Sequence, residues 1–248
     1  MNSISANMNL MIKACEKASK IIIRDFGEIE NLQVSSKGPR DFVTKTDIMV
    51  EKILIEELSR SKRNYSFVTE ESGKVINSNK DIYWVIDPID GTINFMHGIP
   101  HFAISIGLMI EGKLESGLIF DPIKNEIFYA EKNNGAFFNN QRIRVSKRNK
   151  INECLFASNN EGVKFATPTL NMRNTGCAAL DLAYVGSGRL DGFFHNKINL
   201  WDIAAGILIV DEAGGKVTGF DYKNINNMDI IATNSNIFQE IEAKLSNF

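Results

Sequence analysis

The sequence predicts a mixed α/β fold in two subdomains, residues 1–145 and 146–248, and three observations predict it. Two stretches near the N-terminus carry apolar residues at helical spacing, and Phe102 to Val145 is a meander of short apolar runs separated by turn residues. Beyond Ser146, strand-like and helix-like segments alternate. With 248 residues and 44% apolar composition, the chain can bury a sizeable core. Its 28 basic and 30 acidic residues are well mixed, so the net charge of -2 argues against a nucleic-acid-binding face as its main purpose. Cys15, Cys154 and Cys177 are odd in number and lack metal-ligand spacing, which fits free thiols in a reducing compartment. The N-terminal MNSISANMNL has no basic segment followed by an apolar one, and no run approaches the ~18 apolar residues of a membrane span. The expectation is a cytoplasmic protein with no membrane partner.

Met8, Met11, Ile12, Cys15, Ser19 and Ile22 fall mostly on one face, so the first element is an amphipathic helix ending near Gly27. A polar linker with Lys37, Gly38 and Pro39 follows. The stretch DFVTKTD, Asp41 to Asp47, then leads into a second helix with Val50, Ile53, Leu54 and Leu58 on its buried side. Asp47 sits where an N-cap belongs, and capping alone would explain it. Tyr65 to Thr69 is a short apolar strand that ends on Glu70 and Glu71, a pair that solvated surface would also explain.

Tyr83 to Ile86 is a strand expected to stop at Asp87 and Pro88, because proline cannot donate to a continuing ladder. It delivers Asp87 and Asp90 to its C-terminal end. Gly91 permits a tight backbone, and Thr92 and Asn94 open a short helix whose free N–H groups would face an anion. Two carboxylates about 4 to 5 Å apart repel by about 3 to 4 kcal/mol at an effective dielectric near 20. With no Lys or Arg between them, a cation is the natural remedy. Carboxylates beside an anion pocket point to divalent metal and phosphate. Pro88 and Ile89 do not supply the alternate oxygen ligands of an EF-hand loop. The two-residue gap between the aspartates also differs from the one-residue gap of haloacid-dehalogenase-type phosphatases.

The meander comprises Ala103 to Ile110, Leu114 to Phe120 and Ile127 to Ala130. After it come strands near Leu155, Met172, Phe193, Val217 and Ile230, and helices over Ala178 to Val185, Ile203 to Glu212 and Ile237 to Leu245. Asp202 starts a helix whose next eight residues are all apolar or glycine, so that helix is buried nearly all round and its start lies inside the protein. A buried carboxylate needs a partner, and both capping and metal ligation satisfy that need. Gly214 and Gly215 end the helix, and Asp211 and Glu212 in its last turn are expected to be solvated surface.

Taken together, DFVTKTD, Glu70-Glu71-Ser72, WVIDPIDGTINF (Trp84 to Phe95) and LWDIAAGILIVDEAGG (Leu200 to Gly215) occur in the order and rough spacing of the inositol monophosphatase family. GCAALDLAYVGSGRLDGFF, Gly176 to Phe194, also resembles the bacterial branch of that family. The resemblance implies a layered αβαβα sandwich of the inositol monophosphatase and fructose-1,6-bisphosphatase type, dependence on two or three Mg²⁺ ions, sensitivity to lithium, and a homodimer. Carried over position by position, it assigns one ion to Glu70, Asp87 and the Ile89 carbonyl, a second to Asp87, Asp90 and Asp202, and a third, weaker one to Glu70 and water. It further implies that Thr92, hydrogen-bonded to Asp47, orients a metal-bound water for direct attack on phosphorus, with Glu70 taking part. The N–H groups of Gly91 and Thr92 would hold phosphate oxygens. Asp90, Gly176, Cys177, Ala178 and His195 would line the substrate, and Lys37 lies near a basic position of the family.

Three departures bear on the substrate. His195 stands where inositol-specific members have a glutamate, and an imidazole cannot copy two carboxylate acceptors. Cys177 stands where a hydroxyl residue is common, and Ala157 to Gly176 is shorter than the usual segment. His97 and His101 are expected to make structural hydrogen bonds, not to ligate metal. The implied function is hydrolysis of a phosphate monoester, myo-inositol monophosphate first. The alternatives are fructose 1,6-bisphosphate, NADP, histidinol phosphate and 3'-phosphoadenosine 5'-phosphate. The rival from another class is a regulatory binding protein of the transcription and ribosomal-RNA machinery, with contacts around Arg189.

Overall fold

The computed structural model describes residues 4–29, 34–38, 41–158 and 170–245, with backbone alone at 34–38 and 41–43. Helix α1 (Ala6–Phe26) buries Met8, Met11, Ala14, Cys15, Ala18, Ser19 and Ile22; Ser5 caps its start by accepting the Met8 N–H, and Gly27 ends it. The predicted linker is instead a hairpin, in which β1 (Val34–Gly38) pairs antiparallel with β2 (Asp41–Thr44). Pairing satisfies backbone groups that a bare linker would leave to water. Helix α2 (Lys45–Ser61) follows at once.

The large sheet is built from β3 (Tyr65–Thr69), β4 (Gly73–Val75), β5 (Asn79–Asp90), β6 (Ala103–Ile110), β7 (Lys113–Asp121), β8 (Glu126–Glu131), β9 (Gly135–Phe138) and β10 (Gln141–Ile143), in the order β10-β9-β8-β7-β6-β5-β3-β4. Only β3 and β5 run parallel; the other neighbours are antiparallel. The predicted stop at Pro88 does not occur. β5 continues to Asp90, and the register against β6 slips between Asp87 and Asp90, so the proline falls in a bulge where no ladder N–H is required. The short helix α3 (Thr92–Met96) comes directly after.

The second sheet contains β11 (Leu155–Ser158), β12 (Asn171–Arg173), β13 (Gly192–Ile198), β14 (Gly215–Thr218) and β15 (Met228–Asn234), in the order β12-β11-β13-β15-β14. Helices α4 (Ala178–Gly186) and α5 (Leu200–Glu212) lie between the two sheets, α1 and α2 cover the outer face of the large one, and α6 (Phe238–Leu245) covers the second. The result is the αβαβα sandwich. Its apolar clusters follow the layers, with Phe67, Trp84 and Phe120 under α1 and α2, and Val85, Ile119 and Phe193 packed around α5.

α5 is apolar on nearly every side because a sheet lies on each of its flanks. Glycines let it come close to the large sheet. A Cβ added at Gly117 would meet the Ala205 carbonyl oxygen at 2.8 Å and its Cα at 2.9 Å, and backbone cannot swing aside. Gly117→Ala is therefore expected to cost ~1–3 kcal/mol. In a melt followed by circular dichroism that should lower Tm by about 3–10 °C. The expectation for Glu212 needs correcting: its carboxylate accepts the N–H groups of Asn133 (2.6 Å) and Gly135 (2.8 Å), so it ties the end of α5 to the β8–β9 turn. Among the described residues, no helix is long and apolar enough to cross a membrane.

Candidate active site

The carboxylates come from separate elements. Asp87 and Asp90 flank the bulge at the end of β5, and Asp202 lies in the first turn of α5. One oxygen from each sits within 4.8 Å of the others. Asp87 is buried, whereas Asp90 and Asp202 are partly open to solvent. Among the described residues none of the three forms an ion pair with Lys or Arg.

Burial pushes the Asp87 carboxyl well above the usual carboxylate range, and the charges of Glu70, Asp90 and Asp202 push it further. Asp202 is raised to about 7 by burial and then by Asp90. Asp90 is also raised to about 7, again by burial first, although the Ala179 N–H and the Cys177 thiol oppose the rise. Three acids that hold on to protons because they are buried and face one another are an oxygen-only donor set short of positive charge. That donor set fits a hard divalent cation such as Mg²⁺.

Each acid is aimed by a bond to its own surroundings. The Ile89 N–H donates to Asp87 Oδ1 at 2.9 Å inside the bulge. Asp90 Oδ2 accepts from the Ala179 N–H at 2.5 Å and from the Cys177 thiol at 3.2 Å, which fastens β5 to the start of α4. Asp202 accepts the Asn199 N–H at 3.0 Å, so it is the third helical residue reaching back to the cap and not the start of the helix. Asp47 plays the same part in α2. Thr44, not Asp47, is the N-cap, and its N–H donates to Asp47 Oδ2 at 2.9 Å while its hydroxyl bonds the same oxygen. The other oxygen, Oδ1, lies 3.3 Å from the Thr92 hydroxyl, which also lies 3.1 Å from the Ile89 carbonyl. Asp47, Thr92 and Ile89 thus meet at one point beside Asp87.

Gly91, with φ +98°, is the N-cap of α3. A Cβ there would stand 3.1 Å from the His101 carbonyl and 3.3 Å from that of Gly176, so the 175–177 loop is drawn against α3. Asn94 fastens it, donating from Nδ2 to the carbonyls of Thr175 and His101, each at 2.8 Å. Gly176, Cys177 and Ala178 are brought to the site by these contacts.

Glu70 follows β3, its N–H donating to the Ile86 carbonyl at 3.2 Å, and its charge raises both Asp87 and Asp90. His195 stays apart. Its ring stacks along Phe193 at 6.0 Å, and Nδ1 lies 2.8 Å from the Asn196 carbonyl. His97 is exposed, and His101 packs edge-on to Tyr184 while its Nε2 has no hydrogen-bond partner among the described residues, unlike the structural bond expected of it. Neither joins the carboxylates. The Lys37 side chain and residues 159–169 of the shortened segment lie outside what is described.

Two residues that the sequence reading passed over support the site. Glu51 is buried and accepts the N–H groups of Glu71 (2.9 Å) and Ser72 (3.0 Å) and the Ser72 hydroxyl (2.5 Å), which fixes the turn that carries Glu70. Asp181, also buried, accepts the Thr175 hydroxyl at 2.8 Å and steadies the 175–177 loop. The signal for Glu51 was legible: Asp47, Glu51, Leu54 and Leu58 share one helical stripe, and an acid on an apolar stripe needs a partner.

The inositol monophosphatase family model matches residues 6–247. The chain belongs to the inositol monophosphatase family. It is 40% identical over 256 residues to the inositol-1-monophosphatase of Caulobacter vibrioides, covering 95% of this chain and 99% of that protein. It is 37% identical over 256 residues to the Nus factor SuhB of Haemophilus influenzae, covering 96% and 95%. The crystal structure of the extragenic suppressor protein suhB from Bartonella henselae superposes with a TM-score of 0.90 at 43% identity, over 97% of this chain and 98% of that one. As an inositol monophosphatase family member the chain is a phosphatase, a phosphoric monoester hydrolase.

Proposed function

We propose that this phosphatase hydrolyses myo-inositol monophosphate, with Mg²⁺ held by Glu70, Asp87, the Ile89 carbonyl, Asp90 and Asp202. The observation that carries the reading is the convergence of Asp87, Asp90 and Asp202, from two distant segments, at the start of α3. Residues 1–145 would supply all of these ligands but Asp202, which comes with the 176–178 loop from residues 146–248. When bound, Mg²⁺ supplies positive charge against the phosphoryl oxygens and acidifies water.

The chain's own residues do the rest. Asp47 accepts the Thr92 proton, which turns a lone pair of the Thr92 oxygen outward to accept a hydrogen bond from the attacking water. Burial raises the Asp47 carboxyl above its ordinary range, so it is a better base than a free aspartate. The Gly91 and Thr92 N–H groups hold phosphate oxygens at the head of α3. Asp90, held through one oxygen by Ala179 and Cys177, turns the other toward a substrate hydroxyl. Gly176, Cys177 and Ala178 shape the wall that the polyol meets. His195, seven residues before Asp202, would meet the substrate where inositol-specific members carry a glutamate, and a preference for inositol phosphate would make it a tolerated change.

Thr92→Val keeps the shape and removes the hydroxyl. We expect kcat to fall by about 10²-fold with KM changed less than about threefold, measured as phosphate release in saturating Mg²⁺. The test of the whole reading is a panel of inositol monophosphates, fructose 1,6-bisphosphate, NADP, histidinol phosphate and 3'-phosphoadenosine 5'-phosphate, each with Mg²⁺, with EDTA and with lithium. A Mg²⁺-dependent, lithium-inhibited preference for inositol phosphate is the expected result; preference for another ester would move the substrate and leave the chemistry standing.

The Caulobacter relative's name supports the inositol assignment, and the Haemophilus relative's name supports a second reading, a regulatory role in transcription. Retention of partner binding by a catalytically dead Asp87→Asn variant would favour that role. A cytoplasmic homodimer fits either reading.

A further inference from the structure

A cleft of about 550 Å³ lies along the large sheet, its lining reaching Val85 but none of the carboxylates of the candidate site. Val68, Val85 and Leu200 form part of its floor, and each stands two residues before one of Glu70, Asp87 and Asp202. In a strand, residues two apart share a face, so Val85 lies one step along the sheet from Asp87 on the same side. Around the rim stand Lys74, Lys80 and Lys223, outnumbering the acids Asp81 and Glu111. None of these lysines forms an ion pair among the described residues, although Lys223 Nζ lies 5.8 Å from the centre of the Tyr222 ring. Tyr83 and Tyr222 add aromatic surface, and Tyr222 is 45% exposed.

An apolar floor, aromatic walls and three ammonium groups without an ion pair among the described residues are complementary to one kind of small molecule, an anion with a flat body. The cleft also has a route to the candidate site. The loop that carries Tyr222 reaches Ile225, whose carbonyl accepts the Leu200 N–H at 3.0 Å, and Leu200 is in the first turn of α5 with Asp202. An occupant held between that loop and the sheet would order the turn that carries Asp202.

We propose that this cleft is a second ligand site, taking a small organic anion with an aromatic body and a phosphate or carboxylate head, and that its occupancy raises the affinity of the carboxylate cluster for divalent cations. The proposal goes beyond the hydrolytic reading and concerns a different set of residues. Linkage makes the effect reciprocal, so Mg²⁺ would equally tighten the anion.

The test uses the full chain. Pyridoxal 5'-phosphate in EDTA should form an imine with a cleft lysine, with loss of water, and borohydride then reduces that imine to a stable amine. Peptide mapping by mass spectrometry should find the label on Lys74, Lys80 or Lys223. Phenylphosphonate and benzoate compete in parallel, and the one that protects names the head group. Calorimetry of Mg²⁺ binding should then show Kd falling about fivefold with the protecting anion present. Lys80→Ala/Lys223→Ala, exposed and outside the hydrolytic machinery, should abolish both label protection and the Mg²⁺ effect. Label confined to other lysines, protection by neither anion, an unchanged Mg²⁺ Kd, or an effect that persists in the double variant would each overturn the proposal.

Discussion

Replacing Asp87 with asparagine is expected to reduce phosphate release by at least about 10³-fold while raising the melting temperature of the metal-free protein. The two effects have one cause. Asp87 is the buried member of the carboxylate cluster, and the charges of Glu70, Asp90 and Asp202 all bear on it. In the proposed reading, deleting its charge removes a shared oxygen ligand, and with it the cation charge that an anionic transition state would require. The same deletion removes like-charge repulsion from the metal-free cluster wherever its acids are ionised, about 3 to 4 kcal/mol for each charged pair at 4 to 5 Å and an effective dielectric near 20. Opposite signs in activity and stability distinguish a lost ligand from a damaged fold. Phosphate release in Mg²⁺ and a melt in EDTA measure the pair, and a variant that loses both would show that Asp87 is needed for packing instead.

The second large effect is on pH. In protein stripped of metal, burial holds Asp90 and Asp202 at about 7 and Asp87 well above the usual carboxylate range, against unfolded values near 4. Between pH 4 and pH 7 the folded protein therefore binds more protons than the unfolded chain. Stability falls as pH rises wherever that holds. Melts in EDTA should thus show Tm declining from about pH 4.5 to pH 7 as far as this site is concerned, the reverse of an ordinary acid-denaturation limb. A pK unit corresponds to ~1.4 kcal/mol, and after discounting for mutual coupling the decline should amount to a few kcal/mol, or about 5–10 °C. Mg²⁺ at neutral pH should recover the loss by occupying the ionised cluster. A flat or rising EDTA profile would mean that the acids are not held together as described.

Much of this was legible in the chain because the site is built at places where regular structure ends. Strands that finish on acids and an apolar helix with one in its first turn announce themselves by composition, and the order of four such stretches carried the family resemblance. Local capping, by contrast, was misplaced at both Asp47 and Asp202. Each acid sits three residues inside its helix and reaches back, a geometry that sequence spacing alone does not separate from an ordinary N-cap. The stop at Pro88 failed for a similar reason. The rule that proline ends a ladder holds for unbroken pairing, and the bulge between Asp87 and Asp90 removes the need for that N–H. What stayed hidden was long-range: Glu51 reaching the turn at Ser72, and Asp181 the loop at Thr175, are contacts between elements that no period records.

The position of α5 has a consequence for how the protein comes into being. Asp202 rides on a helix too greasy to stand in water and too closely fitted to settle before both of its flanking sheets exist. During synthesis the earlier acids emerge first, on strands that can pair among themselves, and the cluster stays incomplete until that helix slides home between the layers. In the proposed reading, tight cation binding requires that helix to be seated between the layers. A chain cut short before Asp202, or one whose central layer has come loose, would carry Asp87 and Asp90 without their third member, and catalysis would be reserved for molecules that are whole.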